Sequence, residues 1–414
     1  MDRLLLLIPT TSYRVGDFLA AAHRLDIAVA VGSNRRQVLE KYADGATVTL
    51  DFANVDAGVG QILAYAGTYP LKAIVATDEE TTVLAAAASA ALGLTHNSAQ
   101  SVAIAGNKHR LRTLLFEAGL PSPRFLQVSV DDDPVRAARE AVYPCVLKPL
   151  ALSASRGVIR ADDSASFVAA FHRIVAILQQ ADIPAEADAA RFILVEDYIP
   201  GVEVALEGLL EAGRLNVLAL FDKPDPLEGP FFEETIYVTP SRLATSVQDE
   251  IIAATSQALA AVGLRDGPIH AELRINEVGP WIIDLAARSI GGLCSRALKF
   301  GAGIPLEDLI LRHALGLPIP SSERESRAAG AMMIPIPRAG TLREVRGIKA
   351  AWSVPGVEDV TISIPIGQEV VPLPEGFKYL GFILARAADP GAVETILRKA
   401  HRGLEFAIGP VKEA

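Results

Sequence analysis

The sequence predicts a mixed α/β protein, α+β in parts, that opens on a Rossmann-like parallel sheet domain and closes on a small C-terminal α/β domain. Three observations predict it. Residues 3–95 alternate short apolar runs with helical patterns, which argues a parallel sheet covered by helices. Residues 191–290 read as strands around a single long helix, Ser246–Val262. A Pro/Ser-marked boundary, Leu317-Pro-Ile-Pro-Ser-Ser322, then precedes a last α/β stretch, Ala331–Phe406.

In the first region Leu4–Ile8, Ile27–Val31, Val48–Leu50 and Ala73–Val75 read as strands, and Phe18–Leu25, Arg36–Tyr42, Gly58–Tyr65 and Thr82–Leu92 as helices. Thr77-Asp-Glu-Glu80 matches a capping box for the last of these. The turn after the first strand is Pro9-Thr-Thr-Ser-Tyr13, without the glycines of a dinucleotide-binding loop, so a nicotinamide enzyme is disfavoured. Asp78 and Glu79 stand at a strand's carboxyl end, where ligands often bind, but the first turn of a helix also favours acids and accounts for them more simply. Next come a helix from Asn107, Lys108 and His109 to Gly119, a strand at Tyr143–Lys148, a small-residue loop at Ala151–Gly157 and a helix at Ser164–Gln179.

Composition bounds the function. Half of the 414 residues are hydrophobic and 21% are charged, as in a folded globular protein. The net charge of −10, with no Lys/Arg run, argues against a nucleic-acid partner. Cys145 and Cys294 match no metal or redox spacing and suit buried thiols in a reducing compartment. The apolar start is too short for a signal peptide, and the Ala-rich stretch Val83–Leu94 too short to span a membrane, so a cytoplasmic location and no membrane partner are expected.

The chemistry concentrates in a predicted hairpin, His270-Ala-Glu-Leu-Arg274 to Ile283-Asp-Leu-Ala-Ala-Arg288, turning at Asn276–Gly279. Alternation puts Glu272 on one face with His270 and Arg274, and folding about Val278 sets it opposite Asp284. Two facing carboxylates repel by about 4 kcal/mol at about 4 Å in a medium of effective dielectric near 20. A divalent cation reverses that sign, and carboxylate pairs holding Mg²⁺ against phosphates are a recurring arrangement. A solvent-facing hairpin with scattered charges is the simpler reading of the hairpin taken alone.

Upstream, Lys148 interrupts the apolar strand Pro144-Cys-Val-Leu-Lys-Pro149 and calls for an anionic partner or a path by which its head snorkels to solvent. The loop after it, with Ser153, Ser155, Arg156 and Gly157, offers backbone N–H groups and one added charge to a phosphate. Lys108 lies at a helix start. In Phe192–Ala205 a strand ends at Glu196, crosses Tyr198 and Ile199, and resumes at Glu203. That connection offers polar backbone to an adenine edge, and Glu203 an acceptor to ribose hydroxyls.

Lys148, the small loop, Glu196, Glu203, Glu272, Asp284 and Arg288 occur in order along the chain, and this set resembles the ATP-grasp superfamily of carboxylate–amine ligases, most of all the branch of L-amino-acid ligases that make dipeptides. The likeness spans nearly the whole chain. It implies an N-terminal pre-ATP-grasp domain at 1–96, a two-lobed ATP-grasp core with its small lobe at 97–190 and its large lobe, carrying the metal hairpin, at 191–318, and a C-terminal domain at 319–414. It implies ATP with Mg²⁺ (or Mn²⁺) as cofactors, and small-molecule carboxylate and amine substrates. Lys108 and Lys148 would contact phosphates under the 153–157 loop, the backbone around Glu196–Ile199 would hold adenine, and Glu203 the ribose. Glu272 and Asp284 would bind the metal. Arg288, followed by Gly291, would hold the substrate carboxylate and stabilise the transferring phosphoryl group. The sequence does not settle the oligomeric state; among soluble homo-oligomers a symmetric homodimer is the commonest outcome.

Phe232–Ser241 resembles the substrate strand of the dipeptide-forming members, with Glu234 as its acid and Tyr237 where they carry His. Glu234 would pair with a substrate ammonium. A second departure is Ala286, where the family's metal strand usually supplies an Asn. His270 could act as general base for the amine, although a hydrogen-bonded structural His beside an acid is the commoner case. The resemblance leaves two alternatives open: a carboxylase-like or purine-biosynthetic ligase, and a nucleotide-binding protein with a decayed metal site.

Overall fold

The computed structural model describes residues 3–35, 44–181, 183 and 187–410. The first sheet has four parallel strands in the order Thr47–Thr49, Val29–Ser33, Arg3–Leu7, Leu71–Ala76. Its central strand is Arg-Leu-Leu-Leu-Leu, with Leu4 to Leu7 wholly buried, as a strand covered on both faces must be. The helices beside it are Val15–Arg24, Val55–Thr68 and Thr82–Leu92. The helix expected at Arg36–Tyr42 lies outside the described residues.

The expected capping box at Thr77–Glu80 does not form. Asp78 makes no side-chain cap bond, and a 3₁₀ turn, Glu79–Thr81, comes before the helix. The Thr77 hydroxyl donates instead to the Leu7 carbonyl (3.2 Å) and the Asp78 carboxylate (2.7 Å), tying the strand end to its neighbour. This leaves Glu79 free to turn towards the middle of the molecule.

A second sheet is antiparallel, in the order Phe125–Ser129, Phe192–Asp197, Cys145–Pro149, Ile159–Ala161. The helix Ser164–Gln180 buries Phe167, Phe171 and Ile174 against it. Asp163 and Ser166 cap that helix reciprocally.

The largest sheet has eight strands: Gly279–Ala286, Gly267–Asn276, Val202–Glu211, Arg214–Asp222, Ile236–Thr239, Ala328–Ile334, Gly381–Ala387 and Val357–Ile362. It runs without a break from the predicted hairpin to the C-terminal strands, across the boundary expected at residues 317–322. One core cluster joins Leu4 and Phe18 of the first unit to Phe221, Tyr237, Leu309 and Phe382, so the first unit packs on this sheet. Among the described residues no helix is long and apolar enough to cross a membrane.

Candidate active site

A cleft of about 670 Å³ opens where these units meet. Pro9, Asp78 and Glu79 reach it from the first sheet, Lys148 and Glu196–Ile199 from the second, and Glu203, Tyr237, His270, Glu272 and Asp284 from the eight-stranded one. The volume lies within the range of sites that bury a small-molecule ligand.

On the second sheet Lys148 is buried, with its Nζ 2.6 Å from Glu196. The other Glu196 oxygen accepts from Arg112 Nε at 2.7 Å, and Arg112 is itself wholly buried. Burial alone would raise the Glu196 pKa, but Arg112 and Lys148 together hold it below the usual carboxylate range. Lys148 shares its counter-ion with Arg112, and burial lowers the pKa of its ammonium from the ordinary value. A phosphate beside it would restore what burial removes. Lys108 donates to the Leu152 carbonyl (3.0 Å) and stands 3.8 Å from Asp284, so it links the small loop to the hairpin.

The loop turns through Ala154, Ser155 and Gly157, all at positive φ. Ser153 and Ser155 line the cleft. Arg156 and Gly157 do not, which corrects the expectation that both would face a phosphate. Gly157 N–H donates to the Pro374 carbonyl (2.9 Å), and Arg156 Nε to that of Glu375 (3.0 Å), with its guanidinium 5.2 Å from the Phe377 ring. Both residues are drawn outward because the segment 374–377 offers them acceptors and an aromatic face.

The adenine-edge expectation narrows in the same way. Tyr198 N–H is spent on the Pro144 carbonyl (3.0 Å), and the Ile199 carbonyl on Arg274 (2.8 Å). Ile199 lines the cleft, and its N–H has no acceptor among the described residues. The guanidinium groups of Arg160 and Arg274 lie 4.3 and 5.1 Å from the centre of the Tyr198 ring. Both Glu203 oxygens meet cations, Lys223 at 2.8 Å and Arg274 at 2.9 Å.

The hairpin places Glu272 opposite Asp284. The register reaches that pairing through a bulge: Asn276 pairs with Gly279 and Leu273 with Ile282, so Ile283 is the extra residue. The Ile283 carbonyl, freed from the ladder, accepts from Arg112 at 2.5 Å. Ala286 is buried opposite His270.

Three carboxylates converge within 4.8 Å of one another, and they are Glu203, Glu234 and Glu272, without Asp284. Between them sits Lys223, which the sequence reading passed over. Its Nζ donates to Glu203 (2.8 Å), Glu234 and Glu272 (3.0 Å). Burial would lower the Lys223 pKa, but the three acids raise it well above the ordinary value. The signal was present: Asp222-Lys-Pro224 ends a buried strand just as Leu147-Lys-Pro149 does. Glu234 is pushed up to about 7, first by burial and then by Glu272. Tyr237 is buried and stands 3.4 Å from Glu272.

His270 corrects the general-base idea. Burial would lower its pKa, yet Glu207 and Glu272 lift it to about 9. An imidazolium at neutral pH has no lone pair to offer an amine. It ties Glu207 to Glu272 (3.3 Å), while Glu207 accepts from Ile290 N–H at 2.9 Å. Arg288 is paired with Glu79 at 3.1 Å, so the acid read as a mere helix-start residue faces the cleft. Gly291 faces open space, where an added Cβ would meet nothing; at Gly292, φ +61, a Cβ would lie 2.7 Å from the Phe382 ring.

A family profile described as ATP-grasp domain matches residues 141–297, which hold Lys148, Glu196, Glu203, Glu272, Asp284 and Arg288. The chain contains an ATP-grasp domain. Behind it, residues 332–409 match the L-amino acid ligase C-terminal domain 2. The crystal structure of L-amino acid ligase from Bacillus licheniformis superposes with a TM-score of 0.82 at 25% identity, covering 99% of both chains. Alanine–anticapsin ligase from Bacillus subtilis (strain 168) is 26% identical over 266 residues, 61% of this chain and 56% of that protein. Dapdiamide A synthase from Enterobacter agglomerans is 28% identical over 241 residues, 57% of this chain and 55% of that protein. The matched region thus spans just over half the length of these two relatives. An ATP-grasp domain followed by a ligase C-terminal domain, in the fold of an L-amino acid ligase, makes the chain similar to amino-acid ligases over nearly its whole length.

Proposed function

We propose that this protein activates an amino-acid carboxylate as an acyl phosphate and joins it to an amine, releasing ADP and phosphate. The supporting observation is that one cleft gathers Lys108 and Lys148 with Arg288, Glu234 and the hairpin acids Glu272 and Asp284, Asp284 lying 3.8 Å from Lys108. The division at 1–96, 97–190, 191–318 and 319–414 is part of this reading, with the nucleotide between the second and third units.

The donor set fits Mg²⁺. Nine carboxylates line the cleft against five Lys and Arg side chains and the His270 imidazolium, so a bound polyanion needs divalent counter-charge. Glu272 and Asp284 would hold the ion, with Glu203 and Glu234 in reach of the Glu272 side. When bound it supplies charge neutralisation to the phosphates. The rest falls to the chain. Lys108 and Lys148 grip the phosphates, and Ile199 N–H offers its hydrogen bond to the adenine edge. Arg288, its charge sustained by Glu79, orients the carboxylate whose oxygen attacks the γ-phosphorus as the bond to ADP breaks. The amine nitrogen then attacks the acyl carbon, phosphate departs, and the nitrogen loses a proton to a group other than His270. The 153–157 loop excludes water while the acyl phosphate waits.

The test is ADP and phosphate release from MgATP across single and paired amino acids. Release that depends on a particular pair supports the reading. Release of AMP, or none with any pair, overturns it.

A further inference from the structure

The small loop after Lys148 is held from outside the cleft. Gly157 N–H donates to the Pro374 carbonyl and Arg156 Nε to that of Glu375, and neither loop residue lines the cleft. The Glu375 side chain reaches a third segment, the helix Ser164–Gln180. There Arg173 donates through Nε to one carboxylate oxygen and through Nη2 to the other at 2.9 Å. The Arg173 guanidinium also lies 4.8 Å from the centre of the Phe231 ring, and Phe231 bridges to Ile159, just after the loop. Residues 374–377 thus grip the loop by their main chain and the next helix by a side chain.

The two sides of this contact belong to different sheets. Loop and helix continue the four-stranded sheet of Cys145–Pro149 and Ile159–Ala161, which shares no strand with the eight-stranded one. Residues 374–377 lead into the eight-stranded sheet. Gly376 N–H donates to the Pro372 carbonyl at 2.8 Å and Leu380 N–H to the Ile334 carbonyl at 2.9 Å, and Gly381–Ala387 then pairs along Ala328–Ile334. The ion pair itself is at the surface, with the Arg173 and Glu375 side chains 43% and 37% exposed. An exposed pair adds little to the stability of a fold. It can still tip a loop between open and shut, because local openings of this kind differ by similarly small free energies.

We propose that Arg173 and Glu375 are positioning residues, a latch by which the C-terminal domain holds the 151–157 loop shut while the acyl phosphate waits for its amine. This rests on the ligase reading above. With the latch undone, a water oxygen attacks the acyl carbon, the bond to phosphate breaks and the free acid returns, so ATP is consumed without an amide. Both residues act through the loop and stand outside the cleft lining.

The experiment compares wild type with Glu375→Ala, Arg173→Ala and the double variant in two readouts. The first is the ratio of ADP released to amide formed, for the amino-acid pair that releases ADP. The second is hydrogen exchange of the peptide spanning residues 151–158 in the MgADP complex, followed by mass spectrometry. Each single variant should speed the exchange roughly threefold, the scale of one exposed two-point ion pair, and lift the ratio above that of wild type. The double variant should match Arg173→Ala, because both remove the same contact. A lowered melting temperature with ratio and exchange unchanged makes the pair merely structural and overturns the latch, as do effects that add in the double variant. If the wild type turns over no pair, the ligase reading falls by itself. Exchange then decides the latch, and equal rates in wild type and Glu375→Ala overturn it.

Discussion

At the scale of single residues the cleft is governed by which charge has a partner. Lys223 is the clearest case, one ammonium among three acids that would otherwise repel. Removing it as Lys223→Met leaves buried charge uncompensated, which in comparable settings destabilises by about 3–5 kcal/mol. Added Mg²⁺ should return part of that loss, because Glu203, Glu234 and Glu272 then offer hard oxygen ligands; thermal unfolding with and without the ion checks it. The two hairpin acids should separate under mutation. Asp284→Asn should lower turnover about 100-fold with little change in melting temperature, since its side chain is 34% exposed. Glu272→Gln should lower both, because Lys223 and His270 lean on it. Equal stability effects would contradict this assignment. The thiols give a pH-linked check. Burial pushes the Cys145 pKa up to about 12 and raises that of Cys294 as well. Below that range both stay protonated, so neither should be alkylated by iodoacetamide at pH 8 in the folded protein; mass spectrometry reads the result. Much of this scale was legible in the sequence: an apolar strand ending in Lys-Pro marks a buried lysine, and Lys148 was found that way. Lys223 carries the same mark and was missed because its three partners come from two separate strands and from the irregular segment that precedes Ile236–Thr239.

At the scale of elements, periodicity read well and local devices read poorly. Thr82–Leu92 is a helix as expected, and Ser164–Gln180 and Thr245–Val262 differ from expectation by one residue. Alternation along the hairpin put Glu272 across from Asp284, and the structure agrees, but by a bulge at Ile283 that no period could announce. The loop after Lys148 was legible as a turn of small residues, whereas its docking on residues 374–377 depends on a segment some 220 residues away. Gly292 is an element-scale requirement of the same hidden kind. Its φ of +61 and the closeness of the Phe382 ring leave no room for a Cβ, so Gly292→Ala should destabilise by about 1–3 kcal/mol in denaturant unfolding. Gly291→Ala, opening on empty cleft, should not.

For the whole molecule, the ordered set of motifs disclosed the fold class and the ATP-grasp domain, because that set runs in chain order. The eight-stranded sheet that crosses residues 317–322 was not legible, since which strands pair is settled by packing rather than by a boundary signal. It carries a consequence for the proposed division. Cutting the chain at 318 would strip Ala328–Ile334 from Ile236–Thr239 and open the core around Phe221, Tyr237 and Met333. The fragment 1–318 should therefore aggregate rather than give a cooperative unfolding transition, as size-exclusion chromatography and circular dichroism would show.

The central claim is that one cleft couples ATP cleavage to the joining of an amino-acid carboxylate and an amine. Release of ADP from MgATP, followed across single and paired amino acids, tests it most directly. The account predicts release that requires a particular pair and is lost in Asp284→Asn. Release that ignores the amino acids, or persists undiminished without the Asp284 carboxylate, would contradict it.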